Sequence, residues 1–404
     1  MRLGIYTDTL YWTDGESLGN SRAFTRFLTS LPPRVDEVVL FGRLAPAPGR
    51  AEYSLSTSGV RFVALPHYPR VRAVIQMARA ARRSAAVFRD ELADLDAVWI
   101  FGPHPMALLF AAIARRRGVP LVLGVRQDYP RYVAGRLPGP AWAWAVPAAR
   151  ALDAGFRRLA RRAPAVVVGD ELAQRYANGA PVLSTGFSLI GSDDVVDADA
   201  AAARSWDGTI LLVSVGRLDP EKNPLLLVEL MALLEAREPG RRRLTVVGDG
   251  ALREELERAV AERGLGSVVE FAGELRSGSE LWAAYRRAHA FVHVSLTEGI
   301  PQVLYEAAAA GLPVVATAVG GVPAALRDGE LGLLVPPRDA DALAAALARL
   351  AAEPALRERL IRAGLEAVRT ETMDAQLDRV AEFVRRVVND SRTATPPSAT
   401  SSQR

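Results

Sequence analysis

A chain of 404 residues, half of them apolar and 24% charged, is long enough to bury the cores of two sizeable domains. It contains no cysteine, which excludes disulfides, thiolate metal sites and cysteine nucleophiles. The formal net charge of +4 hides an asymmetry: residues 1–190 hold 25 Arg against 14 Asp+Glu (+11), and residues 191–404 hold 25 Arg+Lys against 32 Asp+Glu (−7), which implies different partners for the two halves.

The apolar run after Met1-Arg2 is too short for a secretory signal. In the first half, runs rich in Val, Ile and Leu at 2–7, 37–42, 60–65, 97–102, 120–125 and 165–169 predict strands. Helical patterns lie between them at 20–31, 71–92 and 106–117. The uncharged stretch 97–114 is interrupted by Gly102-Pro103-His104-Pro105, so it reads as strand then helix, not as a membrane span. The acidic, Ala-rich segment 191–207 reads as a linker. Strands then resume at 210–216, 244–248, 268–273, 290–295 and 313–317, with helices at 224–236, 251–264, 279–288 and 301–310. The stretch 300–326 carries Glu306 and several Gly and Pro, so it is no span either. Helices fill 339–389, and the Ser/Thr/Pro-rich tail 390–404 is expected to be disordered.

Near-continuous apolar strands alternating with helices predict an α/β fold: two doubly wound parallel-sheet domains at 1–190 and 208–350. Ligands of such sheets bind beyond the carboxyl ends of the strands, so a cleft between the two domains is the expected site. A cytoplasmic location is expected.

Lys222 meets the strand-end condition. It is the only lysine; the other 49 basic residues of the Lys+Arg count are arginines. It follows the strand at 210–216 and Arg217, and it precedes a helix opened by Asn223-Pro224. Two cations beside a helix start suit a diphosphate. The segment is no P-loop, because Lys222 stands between Glu221 and Asn223. Gly248-Asp249-Gly250 follows the next strand and permits close backbone approach to a ligand; a tight strand–helix turn explains it equally well. In "SLTEGIPQVLYEA", Glu298 precedes a helix opened near Gly299 and Pro301, and Glu306 lies within that helix. Carboxylates so placed can accept paired sugar hydroxyls, and the amides of Gly299 and Ile300 can meet phosphate.

These stretches, in order, are "VGRLDPEKN", "VVGDG", "VEFAGEL", "SLTEGIPQVLYEA", "GLPVVATAVGGVPAAL" and "GLLVPPRDADALAAAL". Together they resemble the retaining, nucleotide-sugar-dependent glycosyltransferases of the GT-B fold, family four, over roughly residues 208–350. The resemblance implies two Rossmann-like domains facing across a cleft, with the donor on 208–350, the acceptor on 1–190, and the helices of 351–389 packed back on the first domain. It implies that Arg217 and Lys222 bind the donor diphosphate, Glu306 the ribose hydroxyls, and Glu298 with Gly299 and Ile300 the donor sugar. Gly248 and Leu275 would lie near the base. Gly19 would face the donor phosphates from a loop that opens a helix at Gly19-Asn20. The donor would be a UDP- or GDP-sugar, with no cofactor, no metal and no nucleic acid. Catalysis would rest on Glu298, Arg217 and Lys222.

The first half carries the likeness more loosely. Arg126 stands where many members carry His, so Arg126 and Asp128 become candidates to grip sugar or acceptor; a structural ion pair between them is the other reading. His104 follows a strand and is a further acceptor-side candidate. Among the four histidines only His289 and His293 approach metal-ligand spacing, and they straddle a helix–strand junction, so no metal site is expected. Trp142 and Trp144 precede an Arg-rich helix, a pairing that suits a membrane interface or simple packing on the domain. A lipid-linked or cell-envelope acceptor and peripheral contact at the inner face of a membrane are therefore expected. The rival readings are a non-catalytic nucleotide-sugar-binding partner subunit and a natural-product glycosyltransferase.

Overall fold

A computed structural model describes residues 1–13, 18–20, 22, 24–46, 53–68, 74–136, 142–275, 278–299 and 301–393. It divides into two compact units, Met1–Leu189 with Met373–Arg404, and Ile190–Thr372.

In the first unit a parallel sheet is built from β1 (Arg2–Thr13), β3 (Glu37–Leu44), β5 (Val60–Leu65), β6 (Ala97–Gly102), β7 (Leu121–Val125), β8 (Ala165–Val168) and β9 (Val182–Thr185). Among the described residues its order is β5-β3-β1-β6-β7-β8-β9. Two short strands, β2 (Leu18–Asn20) and β4 (Tyr53–Ser54), extend the far end of β1 in antiparallel register. The side-chain period of two explains why both faces are apolar. Val39 and Phe41 point into a core shared with α2 (Val74–Glu91), α3 (Pro105–Arg116) and α5 (Ala145–Leu159). Val38 and Leu40 point into the opposite core, which receives Phe24, Phe27 and Leu28 of α1 (Phe24–Thr29). The chain's last helix, α15 (Met373–Thr393), closes that same face with Leu377, Val380, Ala381 and Val384.

The second unit holds six parallel strands: β10 (Ile210–Val215), β11 (Arg242–Val247), β12 (Val269–Gly273), β13 (Ala290–His293), β14 (Val314–Thr317) and β15 (Leu333–Val335), ordered β12-β11-β10-β13-β14-β15. One face packs on α8 (Leu225–Arg237), α9 (Arg253–Glu262) and α13 (Ala340–Ala352). The other packs on α10 (Ser279–Arg287), α11 (Gln302–Ala309) and α12 (Val322–Ala325).

Four local expectations change. Gly19 lies within β2, paired to Trp12 and Ser54, and the helix that follows starts only at Phe24. Residues 191–207 belong to the second unit: Ala198–Ala202 forms helix α7, and Ala201 packs with Ile361 and Leu365 of α14 (Pro354–Arg369). Of the helices in 351–389, α14 stays with the second unit and α15 joins the first. α15 also runs on through residues 390–393, so the disorder expected from residue 390 does not begin there. The rest of the tail and Ile300 lie outside the described residues.

Candidate active site

The second unit carries a cavity of about 250 Å³ at the carboxyl ends of β10 and β13, lined among others by Gly216, Arg217, Lys222, His293, Ser295 and Glu298. Three loops build it. After β10, a one-turn 3-10 helix (Pro220–Lys222) is closed by Asn223 in the left-handed conformation (φ 50°), and Pro224 leads into α8. After β13, the loop is pinned on both sides: Thr317 Oγ1 donates to the carbonyl of Ser295 (2.7 Å), and the amide of Leu296 donates to the carbonyl of Glu221 (2.9 Å). The loop after β11 supports the first. Gly248 (φ 138°) sits so close to Gly216 that a Cβ would lie 1.9 Å from its carbonyl oxygen.

Glu298 is the hub. Its side chain is 7% exposed, and its Oε1 accepts from Lys222 Nζ (2.5 Å) and Ser295 Oγ (2.7 Å), with His293 Nε2 3.1 Å away. Burial alone would raise the carboxyl pKa, but His293, Lys222 and Ser295 together hold it down at about 2. Glu298 is therefore a permanent carboxylate, and the cavity wall offers an ammonium–carboxylate pair. Arg217 is tied to Asp219 and, at 2.7 Å, to Glu221, yet remains 65% exposed. Exposed ion pairs of this kind hold a side chain weakly, so Arg217 can be recaptured by a better anion at small cost.

Glu306 does not line the cavity. Its Oε2 accepts from Tyr285 OH (2.8 Å), a fully buried phenol, and burial, partly opposed by that bond and assisted by Asp194, raises its pKa. Gly299 is exposed beside Glu298. Gly248 serves packing between loops, and Leu275 joins an apolar cluster with Val215 and Ala272; neither lines the cavity. Gly320 likewise approaches the backbone of Glu298, where its Cβ would come within 2.0 Å of the carbonyl oxygen. His293 and Ser295 were not singled out as ligand-facing from sequence. The available signal was a polar residue at the end of an apolar strand, "AFVHVS". His289 is structural: its Nδ1 accepts from the Leu211 amide (3.0 Å), and Nε2 faces the Ser205 carbonyl (3.1 Å).

In the first unit Asp128 and Arg126 do not pair. Asp128 binds Arg175 and caps α4 (Tyr129–Arg136) through the Arg131 amide (3.1 Å). Among the described residues no carboxylate pairs with Arg126. Its guanidinium lies 3.6 Å above the Phe24 ring, and burial, reinforced by nearby Arg22, lowers its pKa to about 10. His104 caps α3: Nδ1 accepts from the Met106 amide (3.3 Å), leaving the proton on Nε2, 3.1 Å from Asp8. Asp8 also binds Arg43 Nε (2.9 Å) and Tyr68 OH (2.5 Å). His104 is thus committed to a closed polar cluster, of which sequence reading found only one member.

Two family models match the chain. Residues 19–182 match the glycosyl transferase 4-like domain, and residues 197–367 match glycosyl transferases group 1. The D-inositol 3-phosphate glycosyltransferase of Thermomonospora curvata is 39% identical over 181 residues, 43% of this chain and 42% of that protein. Sucrose-phosphate synthase from Thermosynechococcus elongatus superposes with a TM-score of 0.66 at 20% identity, covering 96% of this chain and 100% of that one. Each unit thus carries a match to a glycosyltransferase domain family, on the fold of the GT-B glycosyltransferases. Anabaena HepE in complex with UDP shares this GT-B fold, at a TM-score of 0.69, 15% identity and coverage of 95% and 99%. The chain aligns with less than half the length of its curated relative.

Proposed function

We propose that the protein transfers a hexosyl group from a UDP- or GDP-sugar to an acceptor hydroxyl with retention at the anomeric carbon. The observation that carries this reading is the grouping of Arg217, Lys222 and Glu298 around one cavity at the strand ends of the second unit. The binding of UDP by HepE, a protein of the same fold, supports it. Negative charge grows on the leaving diphosphate, and Lys222 and a redirected Arg217 stabilise it electrostatically, without a metal ion. Glu298, ionised at every working pH, accepts hydroxyls of the donor sugar, and the Gly299 amide faces phosphate. Glu306, outside the cavity lining and held by Tyr285, is assigned the ribose hydroxyls on the family resemblance alone. On the acceptor side Arg126, a cation with no acid partner among the described residues, holds an anionic or polyhydroxyl group of a lipid-linked or envelope glycan. The protein works in the cytoplasm.

The test is sugar-nucleotide turnover by purified protein, alongside a thermal-shift screen of nucleoside diphosphate sugars, since a ligand that binds only the native state raises the melting point. Turnover that falls roughly a hundred- to a thousandfold in Lys222→Ala supports the reading. Wild-type protein that binds the nucleotide yet turns over none overturns it in favour of a non-catalytic subunit.

A further inference from the structure

Residues 129–169 contain seven arginines and one carboxylate, Asp153. That carboxylate is buried and already taken: it binds Arg157 (2.9 Å), Arg175 (2.7 Å) and Tyr176 OH (2.9 Å). The groove between α4 and α5 is a cavity of about 610 Å³ whose wall includes Arg131, Arg150, Arg157 and Arg175, with Asp128 the acid among its lining residues. Arg157 and Arg175 are neutralised by Asp153 and Asp128. Arg131 and Arg150 are exposed and pair with no carboxylate among the described residues. Arg158, Arg161 and Arg162 continue the basic surface beyond the groove, all exposed.

On the same two helices, outside the groove lining, are the two large apolar side chains that are exposed among the described residues: Trp144 (50%), whose ring lies against Trp142, and Tyr132 (36%). Both belong to the same helical pair, at the start of α5 and within α4. Uncompensated guanidiniums grip phosphate oxygens through paired donors. Exposed Trp and Tyr gain most where an apolar body meets a wet polar tip, as in the headgroup region of a bilayer. A soluble polyanion would satisfy the arginines and leave the aromatic pair exposed.

We propose that the α4–α5 face docks on an anionic phospholipid surface, with a lipid phosphate between Arg131 and Arg150 and with Trp144 and Tyr132 entering the headgroup layer. No helix among the described residues is long and apolar enough to cross a membrane, so this contact is peripheral. It stands apart from the transfer reaction and does not depend on it.

Co-sedimentation of the full chain tests this, with vesicles of phosphatidylcholine alone and with added phosphatidylglycerol, at low and high salt. Binding is expected only to the phosphatidylglycerol vesicles, and it should weaken with salt. The double variant Arg131→Gln/Arg150→Gln should lower partitioning roughly ten- to thirtyfold, and Trp144→Ala several-fold, with melting points unchanged because all three side chains are exposed. Equal binding to neutral vesicles, no binding to either, or full retention by the arginine variant overturns the proposal. Loss in the arginine variant with full retention in Trp144→Ala also overturns it, in favour of a soluble polyanion.

Discussion

Lys222 and Glu298 show how one contact sets the chemistry of a site. Lys222 Nζ is a compact charge on a flexible stem, with its side chain only 23% exposed, and it reaches Glu298 across the cavity wall. A guanidinium at this position keeps the charge but brings a wide planar fork into a space shared with Ser295 and His293. Lys222→Arg should therefore leave the melting point within a degree or two and lower kcat at least tenfold; near-normal turnover would return the sole lysine to an accident of composition. The same contact predicts an acid limb in stability. Glu298 titrates at about 2 in the folded protein, below its ordinary value of 4.5. A depressed folded pKa gives stability that is full above about 4.5 and is lost as pH falls towards 2. The loss is on the order of a few kcal/mol. Glu298→Gln should be less stable than wild type at pH 7, and the gap should narrow between pH 4.5 and 2. Parallel denaturation curves across that window would contradict the assignment.

At the scale of elements, the loops after β10, β11, β13 and β14 form one unit, because backbone meets backbone where glycines leave no side chain. Gly320 has φ 52° and presses on the Glu298 carbonyl, so Gly320→Ala adds left-handed strain to a 2.0 Å overlap. It should destabilise the second unit by more than about 1–3 kcal/mol and weaken nucleotide binding, since the Glu298 loop must move; calorimetry and titration together would show both. This interlock also marks the limit of sequence reading. Apolar strands and their strand-end residues Arg217, Lys222 and Glu298 were legible, because periodicity and punctuation are local signals. The short strands β2, β4, β9 and β15 were not, for two to four residues without a longer apolar run around them leave no period to count. Asp8, Arg43 and Tyr68 were missed for a different reason: Arg43 and Tyr68 lie 35 and 60 positions from Asp8 and meet it only because β1, β3 and β5 are successive neighbours in the sheet. The Tyr285 that orients Glu306 was hidden in the same way, 21 positions away on α10.

For the whole molecule, the informative feature is that the chain returns to its first unit at the end. The amphipathic spacing of Leu377, Val380, Ala381, Val384 and Val388 was readable as a helix, but nothing local in it names the sheet it covers. Its apolar stripe closes the face formed by Leu3, Ile5, Val38 and Leu40. Arg34 adds ion pairs to Asp374 (2.9 Å) and Asp378 (2.6 Å) at the edge. Those pairs are partly exposed and worth at most about 1 kcal/mol, so Arg34→Ala should change the melting point little. The apolar side chains are worth far more. Burying each Leu or Val contributes about 1.5–3 kcal/mol, and the four here reach the order of 10 kcal/mol, similar to the whole stability of a domain. Ending the chain after Thr372 should therefore leave the first unit unable to hold its sheet while the second unit, complete at that residue, still folds. Circular dichroism and limited proteolysis of the truncated chain should find a protected fragment corresponding to residues 190–372 and a degraded first half. Protection of both halves would mean that α15 is an accessory to the first unit and not part of its core.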